Sequence, residues 1–319
     1  MKNDIKYYSV GALMYTPANN KTIVQNLLRN KFGDKFSLAF CLEDTINDDM
    51  IEEAEDDLIV TLNSLYNLVG TQNFYMPKVF IRVRNPEQIL KIADNLGNAC
   101  AIISGFNIPK FTPECADDYF TAIKTAEEVS NCEFYIMPIL ESPLMVDLRT
   151  RIDFLYKCKE KFDSVEEKVL NIRVGGNDLS HTFGLRRHSD ETVYDIKPVA
   201  DILIDILTVF SQDYIVSGAV WEYYNGEHWA EGFRDEIKMD MLSGFIGKTV
   251  IHPKQISVLN EASKVLKEDY EDAKSILGWD KSNISFVSGS KNSSRMNEYK
   301  THFNWAEKIM YLAEYYGIK

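Results

Sequence analysis

The stretch Val79-Phe80-Ile81-Arg82-Val83-Arg84 alternates between two kinds of side chain. In an extended strand the valines and the isoleucine share one face, and the phenylalanine and the two arginines share the other. A uniformly apolar face is typical of a strand that packs on helices, and charges near the carboxyl end of the opposite face are typical of a barrel interior. The stretch therefore predicts a parallel barrel strand with polar groups gathered at one end.

Similar apolar runs recur along the chain, and stretches with helical periodicity separate most of them. We predict strands at Gly11–Thr16, Ser37–Glu43, Lys78–Arg84, Ala101–Ser104, Glu133–Glu141, Asn171–Gly175, Ile215–Val220 and Lys248–His252. Eight strand–helix units in succession are typical of an α/β fold of the (β/α)₈ TIM-barrel type. An open doubly wound sheet is the alternative, but no Gly-x-Gly-x-x-Gly motif follows the first strand.

The residues after the eighth strand have helical spacing. We predict one amphipathic helix at Ser257–Leu277 and another at Phe303–Tyr316, which ends at Gly317. The predicted organisation is a barrel over residues 1–256, followed by a helical extension over residues 257–319.

The composition excludes several classes of protein. The chain has 35 basic and 48 acidic residues, and its formal charge of −13 disfavours binding to nucleic acids and anionic membranes. No apolar run approaches the roughly 18 residues of a membrane span, and the first residues resemble a strand more than a signal peptide. Five cysteines without a Cys-x-x-Cys pair indicate reduced thiols in a cytoplasmic protein.

Two carboxylates stand at the ends of neighbouring predicted strands. Glu141 ends the fifth strand, and Asp178 follows the sixth. If these side chains converge, they form a Mg²⁺ site that leaves coordination positions for water and substrate. The alternative is that Glu141 caps the next helix and Asp178 starts an Asx turn.

Arg82 and Arg84 are candidates to bind a substrate carboxylate, because a guanidinium matches a carboxylate in bidentate fashion. The alternative is an internal salt bridge with Glu43 or Asp44 after the second strand. Lys110 follows the fourth strand, and we expect it to face the same end of the barrel and to contact the substrate.

Gly175 and Gly176 lie at the end of the sixth strand, and two interpretations of this pair are possible. Either they allow close approach of a ligand to the backbone, or they form a tight strand–helix turn.

Taken together, these residues and their order along the chain resemble the pattern of a known family. The chain resembles the HpcH/HpaI aldolase and citrate lyase β-subunit family, and within it the C–C bond lyases of the TIM-barrel fold. The resemblance runs from about Ala12 to Ile256 and rests on ordered motifs: Leu13–Pro17, Leu42-Glu43-Asp44, Ile81-Arg82-Val83, Ile108-Pro109-Lys110, Pro138–Ser142, Gly175–Leu179 and Gly244–Pro253.

The resemblance implies roles for the candidate residues. It implies that Glu141 and Asp178 bind Mg²⁺, that Arg82 binds the substrate carboxylate, and that Glu43 and Asp44 lie near the metal waters. The chain departs from the family pattern at two places in this set. Arg84 stands where the family usually has asparagine, and Cys41 stands where the family often has aspartate.

The resemblance also bears on CoA and on assembly. The Arg-Ser that often precedes the first motif is absent, which leaves the use of a CoA thioester open. Met296-Asn297-Glu298 is similar to a C-terminal lid motif that carries a carboxylate to a neighbouring subunit's site. This match implies a catalytic role for Glu298, and a homo-oligomer, either a trimer or a hexamer.

The sequence therefore predicts a Mg²⁺-dependent carbon–carbon lyase or aldolase that acts on an oxo or hydroxy acid, or on its CoA thioester, through an enolate. One alternative is phosphoryl transfer from phosphoenolpyruvate, for which His181 or His188 would be the nucleophile. Another is a non-catalytic binding protein on the same fold.

Overall fold

A computed structural model describes residues 2–280, 282, 285–291 and 293–319. A parallel sheet forms its centre, and the strands follow one another in the order β6-β5-β4-β3-β2-β1-β7. Their bounds are β1 Ala12–Pro17, β2 Phe36–Cys41, β3 Lys78–Arg82, β4 Ile103–Ile108, β5 Tyr135–Leu140, β6 Arg173–Val174 and β7 Lys248–Val250. Six of the eight predicted strands overlap β1 to β6, and the last one overlaps β7. The fourth prediction, Ala101–Ser104, is displaced, because a 3-10 helix runs to Ile102 and β4 covers Ile103–Ile108.

The predicted strand at Ile215–Val220 is reduced to isolated bridges. Val216 pairs with Ile172, and Gly218 pairs with Lys248, both in parallel. These bridges lie between β6 and β7, while β7 pairs with β1. The segment therefore closes the ring of strands without forming a regular strand.

Helices surround the ring and follow the strands in turn. Their bounds are α1 Ile5–Tyr8, α2 Ile23–Leu28, α3 Ile51–Leu68, α4 Pro86–Leu96, α5 Ala116–Ser130, α6 Arg151–Asp163, α7 Gly176–Thr182, α8 Lys197–Phe210, α9 Trp229–Ser243, α10 Pro253–Ala262, α11 Lys267–Leu277 and α12 Tyr299–Tyr316. A short antiparallel hairpin, β8 Val287–Gly289 with β9 Met296–Glu298, precedes α12. Among the described residues, no helix combines the length and the apolar character needed to cross a bilayer.

The single helix predicted at Ser257–Leu277 is wrong. The chain forms α10 and α11 instead, and the link between them is extended at Val265. Val265 pairs with Ile318 in a parallel bridge, which takes the backbone groups that a continuous helix would use. A long-range pairing with the chain end therefore overrides the local helical pattern.

The two faces of the strands belong to two apolar clusters. The outer face packs on the helices, as Leu38, Ile81 and Val250 show. The lower interior is filled by residues such as Leu13 and Phe80, and α1 and α12 cover it with Tyr8, Leu312 and Tyr316 among others. Because this packing fills the amino-terminal part of the barrel, the polar groups gather at the carboxyl-terminal end.

Candidate active site

A cavity of ≈ 220 Å³ opens at the carboxyl ends of the strands. Its lining includes Glu141, Asp178, Arg82, Asp44 and Arg173. The two carboxylates that the sequence placed on separate strands therefore line one cavity, beside a guanidinium.

Glu141 directly follows β5 and is almost fully buried. Its Oε1 accepts a hydrogen bond from the backbone N–H of Lys110 at 2.9 Å and lies 3.3 Å from Nη2 of Arg82. Ser142, not Glu141, caps the following turn by accepting from the N–H of Leu144. The helix-capping alternative for Glu141 is therefore not what the structure shows.

Gly175 makes room for this carboxylate. A methyl group in place of its hydrogen would overlap the side chain of Glu141, and one on Gly176 would lie 2.6 Å from Cβ of Ala219. Both glycines line the cavity, but here their small size admits neighbouring protein side chains. A side chain larger than hydrogen at position 175 would displace Glu141.

Asp178 lies in the first turn of α7 and is half-buried. Its carboxylate has no hydrogen-bond or ion-pair partner among the described residues, since only its backbone oxygen is engaged, by Thr182. Burial raises the pKa of Glu141 to about 8. The guanidinium of Arg82 lowers this pKa, and the charges of Asp178 and Glu43 raise it further. A bound cation would counter both the burial and the repulsion from Asp178 and Glu43, and would favour the ionised form of Glu141.

Arg82, the last residue of β3, holds the acidic residues together. Its Nη2 lies 2.7 Å from Oε2 of Glu43, 2.9 Å from Oδ2 of Asp44 and 3.3 Å from Oε1 of Glu141. Lys110 Nζ lies 2.6 Å from Oε1 of Glu43 and 3.3 Å from Oδ1 of Asp44. The internal salt bridges that the sequence offered as an alternative are therefore present, and they engage Arg82.

Arg84 does not reach the cavity. Its Nε donates to the carbonyl of Leu42, its Nη2 to the carbonyls of Glu43 and Ile46, and its Nη1 pairs with Asp48 at 2.7 Å. The expectation that Arg82 and Arg84 face the same space is wrong, because the strand ends at Arg82 and Arg84 turns to the loop after β2. Arg84 shapes that loop, which carries Glu43 and Asp44.

Sequence reasoning missed Arg173 and Tyr15. Arg173 lies on β6 with 1% of its surface exposed, and its Nη2 donates to Oγ1 of Thr249 at 2.6 Å. The hydroxyl of Tyr15 accepts from Nδ2 of Asn107 at 2.9 Å, and its ring lies 5.9 Å from the guanidinium carbon of Arg82. The available signal was the position of Arg173 two residues before Gly175, on the inward face of the predicted strand.

Glu298 and the two histidines lie elsewhere. Oε2 of Glu298 accepts from Thr301 at 3.0 Å at the start of α12, and Glu298 is absent from the cavity lining. His181 lines a separate cavity of ≈ 290 Å³ with Asn177 and Arg186. The N–H of His188 donates to Glu191 at 2.7 Å. Within the described ranges, neither histidine lines the cavity that contains Glu141.

The donor set fits Mg²⁺ better than zinc. Among the described residues, no group of three or more His, Cys, Asp or Glu side chains is arranged to hold a metal ion. Mg²⁺ needs no such group, since it keeps several waters and binds through one or two carboxylates. Glu141 and Asp178 are two carboxylates on one cavity and so match this requirement, while Glu43 and Asp44 pair with Arg82.

The strands form a closed parallel barrel, and acidic residues lie at the carboxyl ends of β2, β5 and β6. The protein is therefore of the TIM-barrel class, with a carboxylate site where such barrels usually carry their catalytic residues. The family model described as C–C bond lyase of the TIM-barrel fold matches residues 4–318. The chain belongs to this family, which confirms the predicted fold and the prediction of a carbon–carbon lyase.

Solved structures with the same fold include several citrate lyase-like proteins. A citrate lyase from Burkholderia xenovorans LB400 superposes with a TM-score of 0.71 at 13% identity, covering 97% of this chain and 93% of that one. The protein CitE from Mycobacterium tuberculosis, solved with magnesium, acetoacetate and coenzyme A, gives 0.61 at 16% identity, covering 97% and 99%.

A citrate lyase β subunit from M. tuberculosis, solved with oxaloacetate and magnesium, gives a TM-score of 0.53 at 16% identity over 81% of this chain and 99% of that one. No curated protein matches the chain significantly in sequence. At such identities the structural likeness establishes the fold.

Proposed function

We propose that the chain catalyses a Mg²⁺-dependent cleavage of a carbon–carbon bond, or the reverse condensation. The substrate is a small oxo or hydroxy acid or its CoA thioester. The observation that carries the proposal is the placement of Glu141 and Asp178 on one cavity, with the carboxylate of Asp178 free of any described protein partner. Two carboxylates without a full protein ligand set match the preference of Mg²⁺.

Glu141 and Asp178 would hold the metal. Bound there, Mg²⁺ would supply Lewis-acid stabilisation for the negative charge that develops on an enolate oxygen when the bond breaks. The N–H of Lys110 and Nη2 of Arg82 fix Oε1 of Glu141, so the carboxylate is oriented before any ligand arrives.

Arg82 adds positive potential at the same place. Its guanidinium is buried and already directed by Glu43, Asp44 and Glu141, so it needs no reorganisation during the reaction. Asp44, which lines the cavity, and Glu43, which pairs with the same nitrogen of Arg82, are candidates to position a water that accepts the proton. Glu298 of a neighbouring subunit is the other candidate base.

Mg²⁺ titration followed by calorimetry tests the metal assignment. We expect the wild-type chain to bind Mg²⁺, and Glu141→Gln and Asp178→Asn to weaken binding at least about 10-fold while the melting temperature stays within a few degrees. The control is Asp201→Asn, an exposed carboxylate on α8. Unchanged Mg²⁺ binding in both site variants would overturn the assignment.

Deuterium exchange tests the chemistry. Exchange of solvent deuterium into the methyl group of pyruvate, followed by NMR, reports enolate formation without knowledge of the second substrate. We expect Mg²⁺-dependent exchange that falls by a factor on the order of 10²–10³ in Arg82→Met, because a preorganised charge next to the enolate is lost. Exchange that persists in excess chelator would contradict the proposal.

A further inference from the structure

Arg173 is a buried charge that no described carboxylate neutralises. It has 1% of its surface exposed, and it takes part in none of the ion pairs among the described residues. Its two neutral partners are Oγ1 of Thr249 at 2.6 Å and Oδ1 of Asn171 at 3.4 Å. Its Nε is buried and donates to no group of the described chain.

The other buried arginines show how this protein ordinarily accommodates such a charge. Arg82 has three carboxylates, Arg187 pairs with Glu236 at 3.2 Å, and Arg151 pairs with Asp205 at 2.8 Å. An unneutralised buried guanidinium is costly, because desolvation is not repaid by an opposite charge. Arg173 therefore differs from the other buried arginines in lacking an anion.

The position of Arg173 shows where an anion would fit. Arg173 lines the same cavity as Glu141 and Asp178, together with Thr249 and Tyr15. Tyr15 accepts a hydrogen bond from Asn107, and this leaves its own O–H available as a donor. Burial raises the pKa of Tyr15, so the hydroxyl keeps its proton at neutral pH. The Nε–H of Arg173 and the O–H of Tyr15 are thus two donors without acceptors.

Arg82 is the less available of the two guanidinium groups in the cavity. Its Nη2 is shared by Glu43, Asp44 and Glu141, so the donors of this nitrogen are already engaged. The Nε of Arg82 is buried without a described partner, as is that of Arg173. Arg173 engages no carboxylate directly, since its described hydrogen-bond partners, Asn171 and Thr249, are both neutral.

We infer that Arg173, with Tyr15 and Thr249, forms the subsite that binds a carboxylate group of the substrate. The identity of the ligand as a substrate carboxylate rests on the proposed function. The existence of an anion subsite at Arg173 does not. A carboxylate suits the donors, since it is planar and accepts the Nε–H of a guanidinium and a hydroxyl proton together. In this arrangement Thr249 is a positioning residue, because it fixes Nη2 and thereby the direction of Nε.

Calorimetric titration with pyruvate, in buffers with Mg²⁺ and with chelator, tests the subsite. We expect Arg173→Met to weaken pyruvate binding about 10- to 100-fold in both buffers and to leave Mg²⁺ binding unchanged. Arg173→Lys, which keeps the charge but not the fork, should recover part of the affinity. Thr249→Val should weaken pyruvate binding by a smaller factor of about 3–10.

Melting temperature separates this role from a structural one. Arg173→Met removes an unneutralised buried charge, so its melting temperature should stay the same or rise. The matched control is Arg187→Met, which removes one of the two cations paired with buried Glu236 and leaves only Lys248, so it should lower the melting temperature without changing pyruvate affinity. An equal loss of stability in both variants would identify Arg173 as structural and overturn the subsite.

The remaining outcomes are also decisive. The inference fails if wild-type protein does not bind pyruvate, if Arg173→Met binds it as wild type does, or if inorganic phosphate binds through Arg173 more tightly than pyruvate. If the protein bound no Mg²⁺ but still bound pyruvate through Arg173 in the presence of chelator, the proposed metal chemistry would be overturned and the subsite would stand.

Discussion

Arg173 and Lys248 show that the surroundings of a basic strand residue differ between the inner and the outer face of the barrel. Lys248 begins β7, points outward and lies 2.6 Å from Oδ2 of Asp240 and 2.9 Å from Oε1 of Glu236 on α9. Its charge is neutralised by these two carboxylates of α9. Arg173 points inward, where helices supply no counter-charge, and so remains available to a ligand.

The buried network around Lys248 predicts a pH effect on stability. Burial raises the pKa of Asp240 to about 6, and Glu236 adds to this against the attraction of Lys248. Because the native state holds this proton more tightly than the unfolded chain, the stabilising contribution is complete below pH 3.8 and is lost as pH rises to about 6.

We therefore expect the difference in unfolding free energy between wild type and Asp240→Asn to fall by about 2–3 kcal/mol between pH 4 and pH 6 and to stay constant above pH 7. Denaturant unfolding at several pH values measures it, with exposed Asp201→Asn as the control. Parallel pH profiles for wild type and Asp240→Asn would refute the expectation.

At the scale of elements, the strand ends explain why much of the site could be predicted. A residue that ends or follows a parallel strand must lie at one edge of the barrel, so Glu43, Arg82, Lys110, Glu141 and Asp178 could be placed together from strand positions alone. The partner of each side chain could not be predicted this way. Arg84 was misplaced because β3 ends two residues earlier than the alternating pattern suggests.

The link between α10 and α11 shows a second limit of local patterns. The N–H of Val265 donates to the carbonyl of Gly317 at 3.0 Å, and its carbonyl accepts from Lys319 at 2.8 Å. Apolar spacing over Ser257–Leu277 carries no trace of this pairing, because the partner strand lies some 50 residues away along the chain.

This pairing yields a matched proline test. Val265→Pro removes the N–H that Gly317 accepts and should lower the free energy of unfolding by about 1–3 kcal/mol. Leu266→Pro is the control, because Leu266 is exposed, has φ −66° and follows an extended residue. Equal stability of the two variants in denaturant unfolding would show that the bridge contributes nothing.

Glu298, the carboxylate that the C-terminal segment is predicted to contribute to catalysis, lies outside the candidate active site of its own chain. α12 packs on α11 and on α1, and it covers the lower interior of the barrel. Glu298, at the start of α12, contacts Thr301 and His302 and lies outside the cavity lining. If Glu298 acts in catalysis, as the family resemblance implies, it must act on a neighbouring subunit.

Subunit mixing tests this arrangement. Glu298→Gln and Glu141→Gln should each lose methyl exchange of pyruvate as homo-oligomers, the first through the base and the second through the metal site. In mixed oligomers, obtained by co-expression with two affinity tags, an intact cavity meets an intact Glu298 from its neighbour at about a quarter of the sites, and activity should return to that extent. If Glu298 served its own chain, every site in the mixture would carry one defect, and no activity would return. Full exchange in Glu298→Gln alone would remove Glu298 from the mechanism and leave a water held by Glu43 or Asp44 as the base.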